Sequence, residues 1–264
     1  MKSFLTHDGV KLNVHRGASG TPVYFQHGLC GSAAQTQEAF PDDPRFQLVT
    51  MECRGHGVSE AGDEKCFTIR AFADDLAALM QEKKTVVGGI SMGAAIALHM
   101  AVHRPELVKA LVLARPAWLL DAAPENGRPN VEVGELLQGL PPNIAKEKFL
   151  ASNIAKHLAE TAPDNLQSLT SFFARERIAT TSALLRRIAS DGPGVTEQQV
   201  RALTIPTLII ATEQDHIHPL SHAQALHAMI PQARLAVIAP KGQDKPRYVS
   251  EFRATLLKFL EETA

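Results

Sequence analysis

Short apolar runs bounded by glycine, proline or charge recur along the chain: PVYFQ from Pro22, FQLVTME from Phe46, KTVVGG from Lys84, ALVLA from Ala110, PTLIIA from Pro206 and ARLAVIA from Ala233. Runs this short and this apolar predict strands. Between them lie segments of helical spacing, TIRAFADDLAALMQEK, MGAAIALHMAVH and SHAQALHAMI. Such alternation predicts an α/β fold, a mostly parallel sheet with helices on both faces. Ahead of it, SFLTHDGVKLNVHRG holds two strand-like runs joined by Asp8-Gly9, a dipeptide suited to a tight hairpin.

One region breaks the rhythm. From Pro116 to Val200 no good strand occurs, only helix-like stretches such as NIAKEKFLASNIAKHLAE and LTSFFARERIATTSALLRRIAS, punctuated by Pro124, Pro129, Pro141, Pro142, Pro163 and Pro193. The pattern predicts a core of residues 1–115 and 201–264 with a helical cap, 116–200, inserted late in the sheet. Such an insertion lies over the carboxyl ends of the strands, where parallel sheets bind ligands.

Composition narrows the partners. At 264 residues, 45% hydrophobic and 21% charged, the chain has the makings of one globular domain with a large core. A net charge of −1 gives no electrostatic reason to expect nucleic acid or an anionic membrane. No apolar run approaches the roughly 20 residues that span a bilayer. Three cysteines, an odd number, and no secretory-type opening point to a reduced, cytoplasmic protein. The expected partner is a small-molecule substrate; monomer and homodimer both stay open.

Within KTVVGGISMGAAIALHM, Ser91 stands between an apolar strand and an Ala-rich helix, with Gly89 and Gly93 two positions to either side. A strand turning this sharply into a helix needs small neighbours, and the G-x-S-x-G elbow that results lifts the hydroxyl above the sheet at a helix amino end. QHGLCGS also follows a strand, and Gly28, Gly31 and Ser32 let its backbone curl with amides pointing inward. The amides of Leu29 and Met92 are the candidate oxyanion donors. His27 reads as a residue that shapes the turn.

Taken together, these segments resemble the α/β-hydrolase fold over nearly the whole chain outside the cap. ECRGHGVS is similar to that family's strand and loop after the first helix, with Glu52 where Asp is usual, and HRPELVKALVLARPAW to the segment after the nucleophile helix. IPTLIIATEQDHIHP is similar to the acid-bearing loop, which matches Asp215 to the acid of a Ser–acid–His triad. The resemblance implies a hydrolase of ester, lactone or carbon–carbon substrates, with no cofactor required.

The resemblance also implies a histidine after the last strand, and there the chain departs from it. RLAVIAPKGQDKPRY places Gln243 after Gly242, and no histidine occurs beyond His227. A glutamine amide has no useful proton affinity, and loss of the base from a serine protease costs about 10⁶ in turnover. Four explanations compete. An introduced His-to-Gln exchange is one, although neighbouring residues also depart from the family wording. His218, three residues beyond Asp215, is a second source of a base. Lys241 or Lys245 with a burial-lowered pKa is a third. The fourth is a binding protein, or a lyase- or decarboxylase-like enzyme, that needs no activated serine.

Arg115 ends the run ALVLAR, where side chains face the pocket, and with Lys241, Lys245 and Arg247 it predicts a positive lining for a small polar or anionic carbonyl substrate. Cys30 and Trp118 are further candidates for the pocket wall. His99 and His103 lie four apart on a helix without the glutamate of the zinc-protease pattern, and His216 and His218 beside Asp215 offer ligand types but no fixed geometry, so no metal is expected.

Overall fold

In a computed structural model, which describes residues 2–81 and 83–264, the Asp8-Gly9 turn forms as expected. Gly9 takes φ +82°, and strand β1 (Lys2–Leu5) pairs antiparallel with β2 (Lys11–Arg16). The six apolar runs become β3 (Thr21–Gln26), β4 (Phe46–Met51), β5 (Thr85–Ile90), β6 (Val108–Ala114), β7 (Thr207–Thr212) and β8 (Ala233–Ile238). They form one eight-stranded sheet in the order β1-β2-β4-β3-β5-β6-β7-β8, parallel from β4 to β8.

Because side chains alternate across a strand, each run feeds two cores. Val23 and Phe25 of β3, Ala110 and Val112 of β6, and Leu208 and Ile210 of β7 pack on one face with α1 (Ala33–Ala39) and α11 (Lys245–Thr263), through Ala39, Phe252 and Leu256. Tyr24, Leu111, Leu113 and Ile209 face the other core, shared with α2 (Ile69–Met80), α3 (Met92–His103) and α10 (Leu220–Met229).

Residues between β6 and β7 are helical throughout their regular structure. The predicted stretch from Asn143 is two helices, α5 (Pro142–Ala151) and α6 (Asn153–Thr161), because the Ser152 hydroxyl caps α6 by accepting the Ala155 N–H at 3.2 Å. The stretch from Leu169 is likewise divided between α7 (Pro163–Ser171) and α8 (Ile178–Ala189). An additional helix, α4 (Arg128–Gly139), hides behind its mid-helix Gly134. That glycine permits close packing on α8, since a Cβ there would lie 2.7 Å from Arg186 Cγ. The short α9 (Glu197–Arg201) leads back to the sheet.

Side chains tie this helical segment to the core. The Arg177 guanidinium donates to the carbonyls of Ser59 (2.9 Å), Gly57 (2.7 Å) and Gly55 (3.1 Å). His99 and His103 bind the Pro193 and Gly194 carbonyls at 2.8 and 2.9 Å, so both imidazoles serve as anchors. Among the described residues no helix is long and apolar enough to cross a membrane.

Candidate active site

Adjacent strands deliver one residue set to a single edge of the sheet. The segment after β3 carries residues 27–32, β5 leads directly into Ser91, β6 into Arg115, the loop after β7 holds Asp215 and His218, and the loop after β8 holds Lys241. Carboxyl ends of parallel strands are where such folds bind ligands.

The elbow has its expected geometry. Ser91 adopts φ +57° and ψ −111°, a conformation unusual outside glycine. Its N–H donates to Ala114 O at 2.9 Å, and its carbonyl accepts the N–H groups of Ala94 and Ala95, opening α3. A Cβ on Gly89 would sit 2.7 Å from Gln26 O, and one on Gly93 2.7 Å from the Gln26 carbonyl carbon. Both glycines are therefore demanded by close backbone approach.

Opposite Ser91, the loop after β3 is fixed from below. Gln35 Oε1 accepts the Gly28 N–H at 2.7 Å, Gly31 N donates to Gly28 O at 2.8 Å, and Glu52 accepts the Ala33 N–H at 3.0 Å. Cys30 takes φ +56°. The main-chain N–H groups of Leu29 and Met92 have no hydrogen-bond partner among the described residues, as donors reserved for a ligand would. His27 is fully buried; its Nδ1 donates to Gly28 O (2.9 Å) while Nε2 accepts the Cys53 N–H (3.1 Å), which makes it a structural residue.

His218 Nε2 lies 2.9 Å from Ser91 Oγ, and its Nδ1 lies 2.9 Å from both oxygens of Asp215. With Nδ1–H donating to the carboxylate, Nε2 is free to accept the serine proton. The spacing is local chemistry: a turn from Asp215 to His218 lets the His218 main-chain N–H donate to Asp215 Oδ1 at 3.1 Å, and the Asn165 side chain receives the intervening N–H groups of His216 and Ile217. Burial lowers the His218 pKa despite the nearby Asp215, and Arg115 lowers it further. Burial alone would raise the Asp215 carboxyl, but His218 and Arg115 pull it well below the usual carboxylate range.

Other predicted residues divide. Gln243 is exposed, donates to Gln214 Oε1 at 2.6 Å and does not line the cavity around Ser91. Lys245 pairs with Glu38 (2.6 Å) and Arg247 with Glu251 (2.7 Å), so neither contributes to the expected positive lining. Arg115, Cys30, Trp118 and Lys241 do line a cavity of about 400 Å³. There, however, the Arg115 guanidinium is engaged with Asp215 through Nε (2.9 Å) and Nη2 (2.5 Å). Lys241 lies 3.7 Å from Asp164, the Trp118 indole donates to Asp191 O, and burial raises the Cys30 thiol to about 12, which makes it an unreactive wall.

Sequence reasoning missed what the helical segment adds. Arg175 donates to Cys30 O at 2.5 Å and has no carboxylate partner among the described residues. Asn130 is 8% exposed, lines the cavity, and its carboxamide is likewise unbonded among them. Neither carries a local motif; Asn130 reaches the cavity from α4 and Arg175 from the connection between α7 and α8.

Buried imidazoles set the response of the fold to acid. Burial is the leading cause that lowers the pKa of His27, His56, His99, His216, His218 and His222 below 6.5. Below that value the unfolded chain binds more protons than the folded one, so stability falls as pH falls. Thermal denaturation is expected to give a Tm that is flat above pH 7 and declines steadily from pH 6.5 to 5. A Tm constant over that interval would contradict neutral burial of these rings.

The profile of the α/β hydrolase fold family matches residues 21–243. A lipase, Lipase 3 of Moraxella sp., is 27% identical over 85% of this chain and 72% of its own length. The 2-hydroxymuconate semialdehyde hydrolase of a Pseudomonas sp. is 26% identical over 96% of this chain and 92% of its own. Among solved structures, an esterase from Exiguobacterium antarcticum superposes with a TM-score of 0.75 at 19% identity, covering 98% of both chains.

Proposed function

The chain belongs to the α/β hydrolase fold family, and from that premise we propose that this hydrolase cleaves small, polar or anionic carbonyl compounds by acyl transfer to Ser91, with His218 as base and Asp215 as its partner. The observation that carries the reading is the continuous hydrogen-bonded path from Ser91 Oγ through His218 to Asp215, every link 2.9 Å. Bonds of this length lie within reach for proton transfer, and the roles match the Ser-His-Asp template irrespective of where the residues fall in sequence.

The steps follow from that path. Substrate enters the cavity beneath residues 116–200, which act as the cap. As Ser91 Oγ attacks the carbonyl carbon, its proton passes to His218 Nε2, and the N–H groups of Leu29 and Met92 receive the developing oxyanion. Where one such donor was removed from a serine protease of unrelated fold, the loss was about 2.7–4 kcal/mol. The imidazolium then gives its proton to the leaving group as the bond to carbon breaks. Water, deprotonated by the same nitrogen, attacks the acyl-Ser91 ester; the bond from the carbonyl carbon to Ser91 Oγ breaks, the proton on His218 Nε2 returns to Oγ and the acid product departs.

Polar or anionic specificity is supported by the cavity wall. His218 aside, its charged residues are Arg115, Arg175 and Lys241, with no carboxylate among the lining residues. Two of these cations face acids, which leaves Arg175 and the free carboxamide of Asn130 for substrate oxygens. A fluorophosphonate probe is expected to label wild-type protein at Ser91, and p-nitrophenyl acetate to give a product burst close to one equivalent. No label and no burst would instead favour a ligand-binding or lyase-like protein built on the same pocket.

A further inference from the structure

We propose that Arg115 is a positioning residue that holds the Asp215 carboxylate in register for His218, rather than a residue that grips substrate. The inference rests on His218 being the base. It starts from the way one carboxylate is shared. Arg115 places Nε and Nη2 on Asp215 Oδ2, at 2.9 and 2.5 Å. Oδ1 accepts the His218 main-chain N–H at 3.1 Å, and the Nδ1–H of the imidazole sits 2.9 Å from both oxygens. A carboxylate only three residues from its base has little reach of its own; two guanidinium donors converging on Oδ2 and the His218 main-chain N–H on Oδ1 together fix its rotation.

The support behind Arg115 is rigid. Its N–H donates to Ile210 O at 2.6 Å, extending the β6–β7 ladder one residue past the strand, and the residue pays for this position with φ +45°. The side chain is buried, and its guanidinium lies 5.9 Å from the centroid of the buried Tyr248 ring on α11. Arginine on β6, carboxylate on the β7 loop and tyrosine on α11 thus form one stack beside the base.

Charge gives the stack a second effect. A carboxylate facing only an imidazole stabilises the imidazolium, whereas one already paired with a guanidinium offers a nearly neutral partner. Every charged group packed against His218 enters this balance: Asp215 and Arg115, then Asp164 on α7, which faces Lys241. His222 on α10 is also near and is itself held neutral by burial. Asp164 acts on the ring in the same direction as Asp215, so Arg115 is the cation whose removal shifts the field toward the imidazolium.

The test uses steady-state hydrolysis of p-nitrophenyl acetate, a neutral ester with no anionic group for Arg115 to bind, across pH 4.5 to 9. Arg115→Gln is expected to raise the acid-limb pKa of kcat/KM by about 1 unit. It is expected to lower kcat by roughly 10-fold through loss of alignment, with KM within about twofold of wild type. Arg115→Lys keeps the charge but not the fork, so its acid limb should stay at the wild-type position while kcat falls. An unmoved acid limb in Arg115→Gln, or a rise in KM alone, overturns the proposal. Should Arg115→Gln yield no folded protein, Arg115→Lys decides: unchanged kcat or a displaced acid limb overturns it. Failure of the underlying assignment looks different, because His218→Ala would then retain wild-type turnover whatever occupies position 115.

Discussion

Replacing His218 by alanine is expected to lower kcat toward activated esters by about 10⁴–10⁶, the loss that follows removal of the base from a serine triad. At about 1.4 kcal/mol per decade this is roughly 5–8 kcal/mol of barrier, too large to arise from a packing change at one edge of a cavity. Gln243→Ala supplies the contrast. Its amide reaches only Gln214 and lies outside the cavity lining, so turnover should stay within about twofold of wild type, the scale of an exposed substitution. Restoring the usual residue by Gln243→His in the His218→Ala background should rescue nothing, because Asp215 is already directed by Arg115 and its own loop. Wild-type turnover in His218→Ala, or recovery in the double variant, would return the base to the loop after β8.

The second large effect is expected at Gly93. Alanine is favoured over glycine inside helices by about 1 kcal/mol, so propensity alone predicts that Gly93→Ala stabilises α3. The collision predicts the opposite. The added methyl would lie within 2.7 Å of the Gln26 carbonyl carbon, and both partners are backbone in regular elements, which cannot step aside as a side chain would. A destabilisation of about 3 kcal/mol, near the upper end for overpacking, corresponds to a Tm lowered by on the order of 10 °C. The same displacement would lift Ser91 away from His218 Nε2, and activity should fall before the protein melts. A variant with unchanged Tm would show that β3 and α3 are not in the contact described.

Much of this arrangement was legible in the residues. Six apolar runs marked six strands because parallel strands buried on both faces leave little room for polar side chains, and glycine spacing marked the elbow because no other residue fits Gln26 O. The candidate base was legible only as an alternative. Nothing in DHIH states that a turn returns the imidazole of His218 to the carboxylate of Asp215; that depends on Asn165, contributed by α7, holding the loop. Arg115 was read as a cation at a strand end, correctly placed, but its engagement with Asp215 depends on the register of β6 with β7. Arg175 and Asn130 were out of reach, since their relevance arises from how the helical segment packs on the core, with Arg175 meeting Cys30 across 145 residues of sequence.

Placing the proposed acid and base on a common turn has a mechanical corollary. In a divided triad, thermal motion of either loop opens two joints, whereas here a swing of the β7 loop carries the imidazole and carboxylate as one body. Such an excursion must part Asp215 from the Arg115 guanidinium and the loop from Asn165 at the same moment as His218 from the serine, while the imidazole–carboxylate pair stays intact. Reversible, all-or-none silencing of the nucleophile on heating, ahead of global melting, is the behaviour such a hinge should display.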